Sequence, residues 1–482
     1  MNAPILKLFG LVLVLFAALA GMTSYNSVIN AGAYRENPRN ARPQIEEQRV
    51  RRGIVRARDG SVLARSSRDA AGLYSRHYTP DGRLFAHALG YDFLRIGRAG
   101  LERSRNDALT GKRNELTSIL DELRGKQRAG DNVVTNLDPK AQRAAIVALR
   151  GRKGAIVALE PATGKVRVMV STPGYDPNAL DGKGVYARLS HDDANSPLLD
   201  RATQAGYAPG STFKVVTAAA ALDSGRFTPD SMVSGRSPII VSATPLQNFS
   251  NEQFGSITLT TALTHSVNTV WAQVAEQLGH RRMATYMTRF GFGSDPPLDY
   301  PDAQMRPSGI YDVAKQDWIS PASRRVDIGR VGIGQERLNV TPLQMATVAA
   351  TVANGGVRMK PRLTDRIVDL DGRTVQRIAP QRAARAMSAS SARQLTQMMS
   401  NVVREGTGIG AALQGIEVAG KTGTAELNIA KQINQPWFIG FAPLVKPRIA
   451  IAVTLENIRG PQSQGGIVAA PIAKRVLQEL LR

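Results

Sequence analysis

The 482-residue chain has no cysteine. That excludes a thiolate nucleophile, a Cys-ligated zinc and a disulfide framework, and it fits any redox compartment. Histidine is scarce, at 5 residues with no H-E-x-x-H, so neither a metal centre nor another cofactor is expected. Acidic residues are few: 39 Asp and Glu face 62 Lys and Arg, a formal net charge of +23. Such an excess points to nucleic acid, anionic lipid or anionic wall polymer, or to nothing beyond an arginine-biased composition. Aromatic residues make up 5%, and there is no stacking or recognition-helix motif, which sets nucleic acid aside. The remainder is ordinary: 43% apolar and 21% charged residues support a packed core and exclude a wholly disordered chain. The length suggests roughly two to four domains.

Long apolar runs are also lacking, with one exception at residues 8–22, LFGLVLVLFAALAGM. Extended back to Ile5, it carries Lys7 as its one charge and is near the lower limit for a bilayer-crossing helix. A single-pass or exported protein follows. Ala18-Leu19-Ala20 resembles a signal-peptidase site, whereas the short, weakly charged start favours an uncleaved anchor. Arg35, Arg39, Arg42, Arg49, Arg51 and Arg52 come next and by themselves favour a cytoplasmic flank, so orientation must come from the downstream chemistry.

Three segments are expected: 1–33, a short cytoplasmic end and anchor; 34–145, an N-terminal pedestal module; and 146–482, a catalytic domain. Residues 23–50 read as a polar linker. From 52 to about 130, Ile54-Val55, Val62-Leu63 and Leu73-Tyr74 are short strand-like pieces of a small β-rich module. Asp138 caps a helix over 139–150, with Pro139 at its first position. A hairpin is expected at 154–160 and 165–171, a second at 437–443 and 448–456, and a closing amphipathic helix at about 467–481. Helices are read at 211–223, 269–279, 341–354 and 388–404. Residues 226–257 and 294–330, rich in Pro, Ser and Asp, read as long functional loops. Strands at both ends with helices between imply one α+β domain.

Three short patterns carry chemistry. Ser211 opens the helix after Pro209-Gly210, and Lys214 lies one turn on along the same face. A serine hydroxyl needs a base, and a lysine amine with a lowered pKa can serve. About two S-x-x-K pairs are expected by chance in such a chain, so a capping Ser beside a solvated Lys is the bland alternative. Ser266 and Asn268, at i and i+2 between two helices, can face one cleft or simply cap a helix. Lys421-Thr422-Gly423-Thr424 sits on a strand. There Gly423 opens one face to an added substrate backbone, Lys421 brings a fixed positive charge, and Thr422 and Thr424 bring hydroxyls.

Together and in this order, the three match the S-x-x-K, S-x-N and K-T-G set of penicillin-binding serine acyltransferases. The chain resembles a class B penicillin-binding protein, a monofunctional peptidoglycan D,D-transpeptidase, of the compact actinobacterial type. The resemblance spans nearly the whole length. It includes Arg52-Gly53-Ile54, Arg58-Asp59-Gly60, Gly100-Leu101-Glu102, Thr135-Asn136-Leu137-Asp138, the run from Ala205 to Gly210, Gly332-Ile333-Gly334-Gln335, Ala353-Asn354-Gly355-Gly356 and Trp437-Phe438 with Gly440. Departures are His265 before, and Val267 within, the central S-x-N. No glycosyltransferase-like domain precedes residue 150, which disfavours a bifunctional enzyme.

The resemblance implies an α+β penicillin-binding/serine β-lactamase-like domain, an antiparallel sheet flanked by helices, behind a β-rich module and a membrane helix. It implies Ser211 as nucleophile, Lys214 as base, Ser266 as proton relay and Asn268 as the group orienting Lys214 and the substrate amide. Lys421, Thr422 and Thr424 would hold the terminal carboxylate, and the N–H groups of Ser211 and Thr424 the oxyanion. Implied partners are peptidoglycan stem peptides, lipid-linked precursor strands, β-lactams and a SEDS-type membrane glycosyltransferase. The catalytic domain would lie outside the membrane. Rival readings are a D,D-carboxypeptidase or β-lactamase on the same fold and a catalytically silent scaffold. Against a class A β-lactamase, Gln335 stands where E-x-x-L-N would need Glu.

Overall fold

The computed structural model describes residues 2–29, 47–70, 72–79, 81–112, 129–428 and 430–482. The linker over 30–46, with Arg35, Arg39 and Arg42, lies outside the described residues. Helix α1, Asn2–Ser24, runs on through a π-helical turn at Tyr25–Ile29. Residues 3–27 are long and apolar enough to cross a membrane, and no part of that helix is buried.

The N-terminal module is built on strands β1 (Val55–Arg56), β2 (Val62–Arg68), β3 (Tyr74–Tyr78) and β4 (Asn132–Thr135). It is less purely β than its sequence implies: short helices at Ala86–Leu89, Gly100–Ser104 and Asn106–Leu109 pack Leu89, Leu101 and Leu109 into its core. Glu102 is fully buried and receives Arg52 at 2.7 Å and Arg76 at 2.6 Å, which explains how a carboxylate survives there.

Helix α2 (Pro139–Leu149) starts as expected, with Asp138 accepting the Lys140 and Ala141 N–H groups at 3.1 Å each. The first hairpin follows as β5 (Gly154–Leu159) and β6 (Val166–Thr172). A 3₁₀ turn at Gly210–Phe213 leads into α3 (Lys214–Asp223), and α4 (Leu259–Thr264) ends just before the Ser266 turn. Helix α5 is Asn268–Phe290, twice the expected length; Gly279, at φ 74° and ψ 163°, breaks it without ending it. Helix α6 (Pro342–Ala353) precedes β7 (Thr364–Val368) and β8 (Thr374–Arg377), and α7 is Ala389–Arg404. The chain ends with β9 (Ala419–Asn428), β10 (Ile433–Ala442), β11 (Ile449–Leu455) and α8 (Gly465–Leu481).

The catalytic sheet runs β9-β10-β11-β5-β6, antiparallel throughout, with Ile458–Arg459 added beside β10. Its inner strands β5 and β11 are apolar almost without interruption because both faces are covered, whereas edge strand β9 carries the polar Lys421-Thr422-Gly423-Thr424 run. Ile156, Ile451, Val453 and Phe438 face α2 and α8; Val157, Ala452, Ile439 and Trp437 face the helices of the middle segment. That is the antiparallel sheet flanked by helices that the sequence implies. The second sheet, β8-β7-β4-β1-β2-β3, crosses the expected module boundary, since β7 and β8 come from the C-terminal half.

The two segments read as loops contain structure. Residues 226–257 hold strands at Met232–Ser234, Ile239–Val241, Thr244–Leu246 and Ser256–Thr258. Residues 294–330 hold strands at Gly309–Asp312 and Asp317–Ile319 and the start of helix Ile328–Gly332. Pairs of this length are too short for a period-2 pattern to stand out.

Candidate active site

Ser211 lies in the 3₁₀ turn that opens α3, and two close backbone approaches fix that turn. Gly210 N–H donates to Gly334 O at 3.1 Å, and a Cβ on Gly334 would overlap the Gly210 carbonyl. On the other side, a Cβ on Gly423 would stand 2.7 Å from Pro209 O. The nucleophile turn is thus held between the 334 loop and edge strand β9. Trp437 Nε1 adds a bond to Ala208 O at 3.0 Å.

The three motifs meet here. Lys214 is fully buried, and its Nζ donates to Ser266 O at 2.7 Å, to Asn268 Oδ1 at 2.6 Å and, more weakly, to Ser266 Oγ at 3.3 Å. Lys421, also fully buried, donates to Ser266 Oγ at 2.9 Å and Thr422 O at 3.0 Å. Ser266 therefore bridges two lysines. Its left-handed backbone, φ 61°, lets one residue offer its carbonyl to one amine and its hydroxyl to both. Asn268 is tied at its other end, with Nδ2 donating to Gln247 O at 3.0 Å.

Burial, reinforced by the neighbouring Lys421 charge, holds the Lys214 pKa well below 10.5. Burial also brings Lys421 down to about 7, so its charge is not fixed as the sequence suggested but is on the verge of loss at neutral pH. A neutral amine has two N–H groups and one lone pair. The two shortest Lys214 contacts take both N–H groups, leaving the lone pair for a hydroxyl. No Ser211–Lys214 hydrogen bond forms among the described residues; such contacts are often long in unliganded sites.

The Thr422 and Thr424 hydroxyls both have protein partners: Thr422 shares 2.6 Å with Thr407 Oγ1, and Thr424 accepts from Gly465 N–H at 3.2 Å. Thr407 and Glu456 were missed from sequence. Glu456 accepts from Arg201 at 2.8 Å and from Tyr207 at 2.5 Å, tying the end of β11 to the loop before the nucleophile. A glycine-flanked threonine in Gly406-Thr407-Gly408 was the available signal for the first; nothing local marks the second. Ser211, Ser266, Asn268, Thr422, Gly423 and Thr424 all line one cleft of about 1630 Å³, with the two lysines sealed beneath. Residues 245–252 border this cleft, whereas Arg330 alone does so from 294–330.

The chain matches known proteins over most of its length. The model for the penicillin binding protein transpeptidase domain matches residues 154–478, and that for the penicillin binding protein A dimerisation domain matches 52–133. The chain is 34% identical to the peptidoglycan D,D-transpeptidase PbpA of Mycolicibacterium smegmatis, over 100% of this chain and 99% of the relative. It is similar to the ceftriaxone acyl-enzyme complex of penicillin-binding protein A from M. tuberculosis, with TM-score 0.81 and 32% identity over 91% of this chain and 100% of that one. The penicillin G acyl-enzyme complex of the same protein gives 0.79 and 32%, over 90% and 100%.

Proposed function

The chain belongs to the class B penicillin-binding proteins and is a peptidoglycan D,D-transpeptidase, and we propose Ser211 as the nucleophile of its serine acyl-enzyme. Lys214 takes the Ser211 proton as the hydroxyl attacks the carbonyl of the penultimate D-Ala. The carbonyl oxygen becomes the oxyanion, held by the Ser211 and Thr424 N–H groups; one such donor contributes about two to three orders of magnitude in rate. As the tetrahedral adduct collapses, the C–N bond breaks and the proton passes through Ser266 to the departing D-Ala. Thr422 and Thr424 hold the terminal carboxylate, while Lys421, sealed beneath them, acts through Ser266 and Thr422 rather than by contact; the side chain that Gly423 lacks makes room for the Pro209 turn rather than for substrate, and Asn268 orients Lys214. The amine of a second stem peptide then attacks the ester, freeing Ser211 and closing the cross-link. β-Lactams enter by the same first step.

One observation carries this reading: a fully buried lysine with a lowered pKa is clasped by the Ser266 carbonyl and Asn268 below the serine. Buried amines without a carboxylate partner are costly, and such cost collects at catalytic sites. We further propose α1 as the single membrane anchor, with the rest of the chain on the far side where peptidoglycan is assembled. Residues 34–145 serve as pedestal, 146–482 as catalytic domain, and a SEDS-type glycosyltransferase supplies the strands. The test is D-Ala release and dimer formation from nascent strands by full-length protein in membranes. Release with cross-linked product is expected; release with free tetrapeptide alone would make it a carboxypeptidase.

A further inference from the structure

We infer that Glu456 is a positioning residue for the oxyanion hole, acting through the Tyr207 hydroxyl on the strap of chain that leads to Ser211. This rests on the acyl-enzyme reading above. The two donors of that hole, the Ser211 and Thr424 N–H groups, belong to different elements: Thr424 to edge strand β9, Ser211 to the 3₁₀ turn that follows residues 207–210. Such donors must already face the place where charge develops, so their spacing has to be held before the reaction starts. The strap is tied to the sheet at three points. At its end, a Cβ on Gly210 would stand 3.0 Å from the Thr424 carbonyl, so the backbone there lies directly on β9. In its middle, Ala208 O accepts from Trp437 of β10 at 3.0 Å. At its start, Tyr207 donates its hydroxyl at 2.5 Å to Glu456, the residue after β11. These are three neighbouring strands, and Glu456 is the outermost tie.

The tie is rigid at both ends. Arg201 Nε and the Tyr207 hydroxyl converge on the same oxygen, Oε1 of Glu456. Arg201 is itself buried, and its other two nitrogens donate to Ser196 O at 3.0 Å and Asn195 O at 2.7 Å. A guanidinium anchored on backbone therefore fixes the carboxylate, and the carboxylate fixes the phenol. Burial first, and then the Glu456 charge, hold the Tyr207 pKa well above 10.0, so the hydroxyl remains a donor. The ring already packs edge-on against Trp437, at 6.1 Å, and the Tyr207 backbone exchanges two bonds with Val340. A phenylalanine would make those contacts as well, so what the hydroxyl adds is direction rather than packing. Glu456 also lines the cleft, and the test must separate action through Tyr207 from direct contact with the ligand.

The experiment uses full-length protein in detergent and follows benzylpenicillin acylation by intact mass over a range of drug concentrations. That separates the limiting acylation rate from the half-saturating concentration. Tyr207→Phe should lower the limiting rate ~10-fold and leave the half-saturating concentration within about two-fold, because misplaced donors matter most where charge develops. Glu456→Gln keeps a weaker acceptor and should fall between parent and Tyr207→Phe. The double variant should be no slower than Tyr207→Phe, since the bond it removes is already gone. An acylamino boronic acid, whose tetrahedral adduct on Ser211 places an oxygen in the hole, should lose affinity in the same order. A merely structural role would lower thermal stability and leave both the rate per folded molecule and the boronate affinity unchanged. Parental rates in folded Tyr207→Phe, or a loss confined to the half-saturating concentration, overturn the inference. So does a Glu456→Gln loss that persists in full on the Tyr207→Phe background, which would mean direct contact with the ligand. If Glu456→Gln does not fold, because Arg201 has lost its acid, Tyr207→Phe and the boronate decide alone. A parent inert to benzylpenicillin would instead overturn the acyl-enzyme reading beneath it.

Discussion

Lys421→Met should stabilise the fold while silencing the site. Methionine keeps the length of the buried stem and removes the amine. The Lys421 pKa falls from 10.5 to about 7 on folding, and a depression of roughly 3.5 units corresponds to about 5 kcal/mol at pH 6, where the lysine is protonated in both states. Opposing this are its bonds to Ser266 Oγ at 2.9 Å and Thr422 O at 3.0 Å, whose loss costs about 1–2 kcal/mol each. The balance at pH 6 is about 2 kcal/mol in favour of methionine, a rise of a few degrees in Tm. Its pH dependence has a fixed sign. The folded chain releases this proton near 7 and the unfolded chain near 10.5, so the parent gains about 1.4 kcal/mol per pH unit between those values and nothing below 7. By pH 9 the methionine advantage should be close to zero. Unfolding of full-length parent and variant in one detergent, at pH 6 and pH 9, measures both. A variant less stable at pH 6, or a gap that does not narrow with rising pH, would refute the reasoning.

Other consequences concern the same cluster. Lys214→Arg keeps a charge that cannot accept a proton, so benzylpenicillin acylation, followed by intact mass over time, should slow by ~10³-fold or more in a folded protein. In the parent, acylation should rise as Lys214 loses its proton, well below pH 10.5; a profile rising only near 10.5 would contradict the effect of burial. Ser266→Ala removes the hydroxyl between the two lysines and should cost ~10²-fold in acylation, with the Lys214 contact to the Ser266 carbonyl retained. Gly334→Ala, at φ 83° and against the Gly210 carbonyl, should destabilise by about 3 kcal/mol or more and slow acylation with it, read by unfolding and mass on one sample.

The sequence was most legible where burial imposes a period or a run. Both hairpins of the catalytic sheet, the Asp138 cap and the closing helix are found at nearly their expected positions, because strands covered on both faces leave continuous apolar segments. The site was legible because its chemistry needs particular residues near a helix start, a turn and an edge strand, and the motifs at 211, 266 and 421 converge in space. What was hidden is non-local. Strands β7 and β8 complete a sheet begun some 300 residues earlier, and no local pattern records that pairing. Gly279 read as a helix end because its backbone does leave the helix; only packing resumes it. The Lys421 charge misled because burial, which sets its pKa, is invisible in a triplet of residues.

The most direct test is the intact mass of the full-length chain before and after benzylpenicillin, with Ser211→Ala alongside. One drug added to the parent, retained over time, and none on the folded variant is the predicted result. An adduct on Ser211→Ala, or a parent that stays unmodified while the drug is hydrolysed, would contradict a slow-deacylating acyl-enzyme at this serine.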